Sequence, residues 1–195
     1  MHIVVEGTSD EETIRAVVRT AGREVTRVHV THGSATLDAR LIKYWRAAER
    51  TPWVVLRDTD AACPVDLRKA LLETLPHHNP LFCLRLAHSM TEAWLLADPT
   101  NLASFLKVPV SQVPEDPEAL PHAKHALLGL CLKSRDRALR RDMARSATTI
   151  GPLYPLRLNE FAEQHWDVAA ACENSPSLRR AVAAIRELPQ EQERS

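Results

Sequence analysis

The stretch WVVLRDTD, residues 53–60, decides the fold. Trp53–Leu56 is apolar on both faces, whereas a strand with one wet face would alternate; such a strand belongs inside a parallel sheet covered on each side. Thr51-Pro52 closes whatever precedes it. Pro64 suits the first turn of a following helix that carries Leu67, Leu71 and Leu75.

The same β-then-α punctuation extends outward in both directions. Upstream, His2–Val5 reads as a strand. Asp10–Ala21 reads as a helix with Ile14, Val17, Val18 and Ala21 on one face, closed by Gly22. Val25–Val30 is a second strand, and a helix from Ser34 to about Glu49 presents Leu37, Leu41, Trp45 and Ala48. Downstream, Leu81–Leu86 reads as a strand and Met90–Ala97 as a helix. Four such units predict an α/β protein with a Rossmann-like parallel sheet of about four strands.

After Asp98 the strand signals stop. Residues 1–106 are therefore expected to form the α/β domain, and 107–121, with Pro109, Pro114, Pro117 and Pro121, an irregular connection. Helices are expected over about 122–133, 135–145, 158–172 and 178–188. Together, 122–188 forms a helical C-terminal region packed on the first domain, and 189–195 a flexible polar tail.

Composition narrows the function classes. The 195 residues carry 25 basic and 25 acidic side chains, which argues against a wholesale basic coat for nucleic acid but leaves local patches open. No apolar run approaches the roughly 18 residues of a membrane span. No basic-then-apolar leader opens the chain, so a cytoplasmic protein is expected. Cys63, Cys83, Cys131 and Cys172 form no CxxC pair and read as reduced thiols. Walker A, GxGxxG and G-x-S-x-G motifs are absent from the sequence, and only five glycines occur.

The chemistry lies in the acids at strand ends. Glu6 closes the first strand, and Asp58 and Asp60 close the third. With strand order 2-1-3-4 these ends lie roughly 5 Å apart, in the crevice where open α/β sheets bind ligands. Convergent carboxylates call for a hard divalent cation such as Mg²⁺, which prefers oxygen ligands. Bland readings stand beside this one. Ser9–Glu12 fits a capping box, and acids in a first turn suit the helix dipole, which serves Glu11 and Glu12 and leaves Asp10 open. Asp58 and Asp60 can also be turn residues or partners of Arg57 or Arg68. A cap does not account for Glu6.

On VVEGTSD (4–10), RDTD (57–60) and LRLAHSMTEAWLLAD (84–98), the chain resembles the TOPRIM superfamily of topoisomerases, primases and OLD (overcoming lysogenization defect) nucleases. Within it, the chain is similar to a bacterial TOPRIM-like family with an E-A-W-L-L-A-D signature. NSPSLRRAVAAI (174–185) is also similar to that family's ending. The resemblance implies a Mg²⁺- or Mn²⁺-dependent nuclease acting on DNA or RNA, in a phage-defence setting with a separate ATPase subunit. It implies Glu6 as acid/base or ligand and Asp58 and Asp60 as metal ligands, with Asp10 and Glu92 as further acids of the site. The sequence departs from the family at Ser89 and Met90, where relatives carry another glutamate, which weakens the case for a second metal. A non-catalytic scaffold or sensor that binds an ATPase is the alternative.

For substrate, Arg57, Arg85 and His88 stand near strand ends as phosphate contacts, or as partners for the acids. KSRDRALRRDMAR (133–145) supplies Lys133, Arg137, Arg140 and Arg141 as a backbone-binding face, or as an ordinary solvated helix. His122 and His125 can share a helix face, but no third ligand stands at zinc spacing.

Overall fold

The computed structural model describes residues 1–60 and 62–189. Strands β1 (His2–Val5), β2 (Arg27–Val30), β3 (Trp53–Asp58) and β4 (Phe82–Ala87) form a parallel sheet in the order β2-β1-β3-β4. Three crossovers contain α1 (Glu11–Thr20), α2 (Ser34–Ala47) and α3 (Pro64–Glu73). The expected parallel α/β sheet and helical C-terminal region are both present.

Alternation along the strands sends side chains to two different layers. Val4, Val55 and Leu84 face α2 and α3, where Leu37, Leu41 and Leu71 cover them. Ile3, Val5, Val54 and Leu56 face the other side, against Ile14, Val17 and Val18 of α1. That second layer is far larger, because the C-terminal helices complete it.

These are α4 (Thr91–Leu96), α5 (Pro99–Leu106), α6 (Ala123–Lys133), α7 (Arg137–Met143), α8 (Tyr154–Gln164), α9 (Val168–Asn174) and α10 (Pro176–Arg186). Leu127, Phe161 and Ile185 join Ile3 and Val54 in one continuous core. The C-terminal region thus covers a sheet face instead of enclosing a core of its own.

Local signals account for the differences from the sequence reading. A single helix over 158–172 is replaced by α8 and α9, because Asp167 accepts the backbone N–H groups of Ala169 and Ala170 and starts a new helix. Asp136 caps α7 in the same way, through Ala138 and Leu139. Helix α5 starts with Pro99 at N1 and an Asp98 cap, in residues 99–106, to which the sequence reading assigned no element. A short hairpin, β5 (Ala144–Ser146) and β6 (Thr149–Ile150), lies where strand signals were expected to have ended. The flexible tail expected from 189 falls, beyond Pro189, outside the described residues.

One polar bond inside the large layer joins the two halves of the chain. Trp94 of α4 is fully buried, and its indole N–H donates to Ser177 Oγ of α10 at 2.7 Å. Ser177→Ala leaves a buried donor without a partner and is expected to lower unfolding free energy by about 1–3 kcal/mol in urea denaturation. A loss below about 0.3 kcal/mol would contradict this role for the bond.

Candidate active site

Because β1 and β3 are neighbours, Glu6 and Asp58 meet at the carboxyl edge of the sheet. Glu6 Oε1 accepts the Asp58 backbone N–H at 2.9 Å and stands 3.3 Å from the Arg57 guanidinium. Arg57 is only 8% exposed. It donates also to Asp38 Oδ1 of α2 and Asp60 Oδ2, both at 3.1 Å, and to the Asp58 carbonyl. The cation that Glu6 requires is therefore supplied by the chain itself. Burial disfavours the charge on Arg57, but Asp38 and Glu6 outweigh it and hold its pKa above the ordinary value.

Asp10 and Glu92 approach from other elements. Residues Thr8–Asp10 make a 3₁₀ turn that folds Asp10 back, so that its Oδ2 accepts the Gly7 N–H at 2.9 Å. Its Oδ1 accepts the Thr91 hydroxyl at 2.7 Å, while the Thr91 backbone N–H donates to Asp58 Oδ1 at 3.0 Å. Thr91, at the start of α4, thus holds both aspartates. Glu92 follows it, 1% exposed. Its Oε1 accepts the Tyr154 hydroxyl at 2.8 Å and stands 3.3 Å from Lys124 Nζ of α6. Its Oε2 is buried with no hydrogen-bond partner.

The capping reading of Ser9–Glu12 does not hold as expected. Asp10, not Ser9, is the residue preceding α1, and its side chain caps no N–H of that helix. The Glu12 N–H donates instead to Asn159 Oδ1 of α8, and the Glu12 carboxylate pairs with Arg15 at 3.2 Å. Asp10 is committed to the crevice.

Asp10, Asp58 and Glu92, three carboxyl groups around one lysine, are short of positive charge. Burial, and then repulsion from Glu92, push the Asp10 carboxyl up to about 6, against the pull of Thr91, Gly7 and Lys124. Asp58 is raised well above the usual carboxylate range, first by desolvation, then by Asp10, Glu92 and Glu6. Glu6 is raised chiefly by burial, against the Asp58 N–H and Arg57. Lys124 feels the converse: desolvation opposes its charge, but Glu92 and Asp58 prevail and hold its pKa above normal. Burial and Glu92 likewise hold the Tyr154 hydroxyl protonated.

The donor chemistry suits a hard divalent cation. Every candidate ligand is a carboxylate, and one buried oxygen, Glu92 Oε2, lacks any partner. Among the described residues, however, no group of three His, Cys, Asp or Glu side chains is gathered to hold a metal ion. Lys124 and Arg57 carry the neutralising charge as the side chains stand.

Asp60, expected beside Asp58, behaves differently. Its side chain is 53% exposed, its φ of 47° is left-handed, and its carboxylate pairs with Arg57. Arg85 points into a separate cavity beneath β4. His88 donates from Nδ1 to the Glu118 carbonyl at 3.1 Å. Lys133 lies at the far end of α6 from Lys124, about 14 Å along the axis. Arg137 is exposed, Arg140 donates to the Ser134 carbonyl, and Arg141 pairs with Asp142. His122 and His125 stack with ring centroids 3.5 Å apart, flanking Lys124 in sequence.

Lys124, Tyr154, Thr91 and Asp38 were not singled out from sequence. Thr91 precedes Glu92 within the E-A-W stretch, so that motif held a signal for it. Lys124 lies between two histidines weighed for zinc, but nothing local marks it. Comparison with protein-family models, curated proteins and solved structures finds no match in any of the three.

The raised Asp10 pKa fixes the sign of a pH effect. A carboxyl that binds its proton more tightly when folded adds stability in acid, and that contribution is lost as pH rises through about 6. In chelator, Asp10→Asn is expected to stabilise the protein near pH 7.5 by up to about 3 kcal/mol, with the gain shrinking near pH 5. Thermal denaturation at both pH values checks this. An equal loss at both would contradict it.

Proposed function

We propose that this chain is a metal-dependent phosphodiester hydrolase of the TOPRIM kind, cleaving DNA or RNA with Mg²⁺ or Mn²⁺. The observation that carries the reading is the meeting of Glu6, Asp10, Asp58 and Glu92 at the carboxyl ends of β1 and β3, with Glu92 Oε2 buried and unpartnered. Asp58, Asp10 and Glu92 would hold the ion once drawn together around it in place of Lys124, since as they stand no three acids are gathered for a metal among the described residues. When bound, such an ion polarises a scissile phosphate and lowers the pKa of an attacking water.

The chain's own groups do the rest. Thr91 orients Asp10 and Asp58 together. In the metal-free site the Asp10 carboxyl is pushed up to about 6, so an ion held there would displace its proton. Glu6, clamped by Arg57 and the Asp58 N–H, fixes the strand ends and holds negative charge there. Lys124, partly exposed, directs a positive charge into the crevice where an anionic substrate would enter. Activity in phage defence beside a separate ATPase subunit rests on the family resemblance alone.

One observation favours a second reading, a non-catalytic scaffold that docks an ATPase: Lys124 and Arg57 already pair with Glu92 and Glu6.

Plasmid, single-stranded DNA and tRNA incubated with the purified chain and Mg²⁺ or Mn²⁺ separate the two. Asp58→Asn and Glu92→Gln should each reduce cleavage by about 100-fold or more, consistent with losing a metal ligand. Asp60→Ala should cost about tenfold or less, because its side chain is exposed and turned to Arg57. Cleavage indifferent to Asp58→Asn would overturn the assignment. Absence of any metal-dependent cleavage, alone and with an ATPase partner, would favour the scaffold.

A further inference from the structure

A second cavity lies along the edge strand of the sheet, apart from the acids. A cavity of about 670 Å³ opens beside the edge strand β4, between α3, the loop after it and the C-terminal end of α10. Its lining includes Trp45, Arg68, His77, Arg85 and Glu187. The crevice acids stand past the carboxyl ends of β1 and β3, whereas this cavity takes in residues 77–80 before β4 and the strand's first half.

Arg85 is the centre of it. Its Nε is enclosed yet has no hydrogen-bond partner, and no ion pair joins its guanidinium to an acid among the described residues. A guanidinium is a rigid fork of donors that matches phosphate or carboxylate oxygens two at a time. Leaving a buried donor of that kind unmade is costly.

The surroundings add positive charge. Arg68 lines the same cavity from α3. Arg180 stands four residues before Ala184, itself a lining residue, and so on the same face of α10. Both lie close enough to lower the Arg85 pKa, after desolvation, which is the main cause. Like charges are gathered here at a cost. Glu187 is the carboxylate in the lining, and it makes no hydrogen bond or ion pair with these arginines among the described residues. The Cys83 thiol, in the same wall, is pushed up by burial and stays neutral.

We propose that this cavity is a binding site for a small organic phosphate, with Arg85 as the phosphate-gripping residue and Arg68 and Arg180 as flanking cations. The volume suits a molecule of mononucleotide size. The indole of Trp45 is held in place by its N–H bond to the His77 carbonyl at 3.1 Å and by the edge-on His77 ring, giving the cavity a rigid aromatic rim. A flat protein epitope would not need an enclosed donor, which favours a small ligand over an acidic peptide. The proposal stands apart from the reading of the acidic crevice and does not require it.

Isothermal titration of the full chain with AMP, inorganic phosphate and adenosine, in chelator to keep the crevice free of metal, tests it. Saturable binding of AMP at one site is expected, with phosphate alone weaker and adenosine weaker still. Arg85→Met should weaken AMP binding by about tenfold or more, the loss of a charge-assisted pair. Because Arg85 is partly enclosed, Arg68→Ala and Arg180→Ala serve as exposed variants that leave the core intact, each weakening AMP by several-fold. Asp58→Asn should leave AMP binding unchanged, which keeps this outcome separate from that of the nuclease. No saturable binding of AMP or phosphate, or binding indifferent to all three arginine substitutions, would overturn the proposal. Equal affinity for phosphate and AMP would overturn the organic part and leave a phosphate site.

Discussion

The hydrogen bond from the Asp58 backbone N–H to Glu6 Oε1, 2.9 Å long, ties the end of β1 to the end of β3. It exists because those two strands pair in parallel, His2 opposite Trp53 and Val4 opposite Val55. A slip of one residue would turn every side chain to the opposite face and separate the acids. The register is held by burial: Val4 and Val55 are fully enclosed on the α2 and α3 side, Ile3 and Val54 on the other. The crevice is a consequence of that packing.

From this tie the charges follow in two layers. Around Glu6, the chain supplies its own cation, and Arg57 spreads one guanidinium over Glu6, Asp38 and Asp60. Deeper in, Asp10, Asp58 and Glu92 have only Lys124 against them among the described residues, and the mismatch appears as raised Asp10 and Asp58 pKa values. Keeping such a mismatch costs stability, which is the usual mark of groups positioned for a ligand or a reaction. The Thr91 bonds to Asp10 and Asp58 make the arrangement rigid, since a single residue at the start of α4 bridges both.

The two halves of the chain are interdependent for the same physical reason. A parallel sheet needs cover on both faces. The face of Ile3, Val5, Val54 and Leu56 is covered in part by α1 and otherwise by α4 and the helices that follow it. Those helices bring Lys124 and Tyr154 to Glu92 as they pack. Closing the hydrophobic layer and completing the polar site are one event.

Much of the fold was legible in the sequence, because β/α punctuation and two-faced apolar strands are local signals. The parallel sheet, the helical C-terminal region and the strand-end positions of Glu6 and Asp58 follow from such patterns, whereas the order β2-β1-β3-β4 entered only as a supposition. The division of 158–172 into two helices was not legible, because a single Asp cap at 167 outweighed apolar spacing that ran on past it. The roles of the acids were legible only in part. Asp60 follows Asp58 by two residues, yet a left-handed backbone at Asp60 turns it toward solvent and Arg57. Arg85 was expected at the crevice, yet the pleat of an edge strand delivers it to a different cavity.

What the sequence by itself determined is the type of sheet and which residues stand at its carboxyl edge, since both depend on the period and ends of short segments. Which cations answer those acids was decided only in three dimensions. Arg57 meets Asp38 across nineteen positions and Lys124 meets Glu92 across thirty-two, and no local pattern encodes a pairing at such separations. Long-range charge partners are set by how helices pack on the sheet, and the tertiary structure alone fixes that packing.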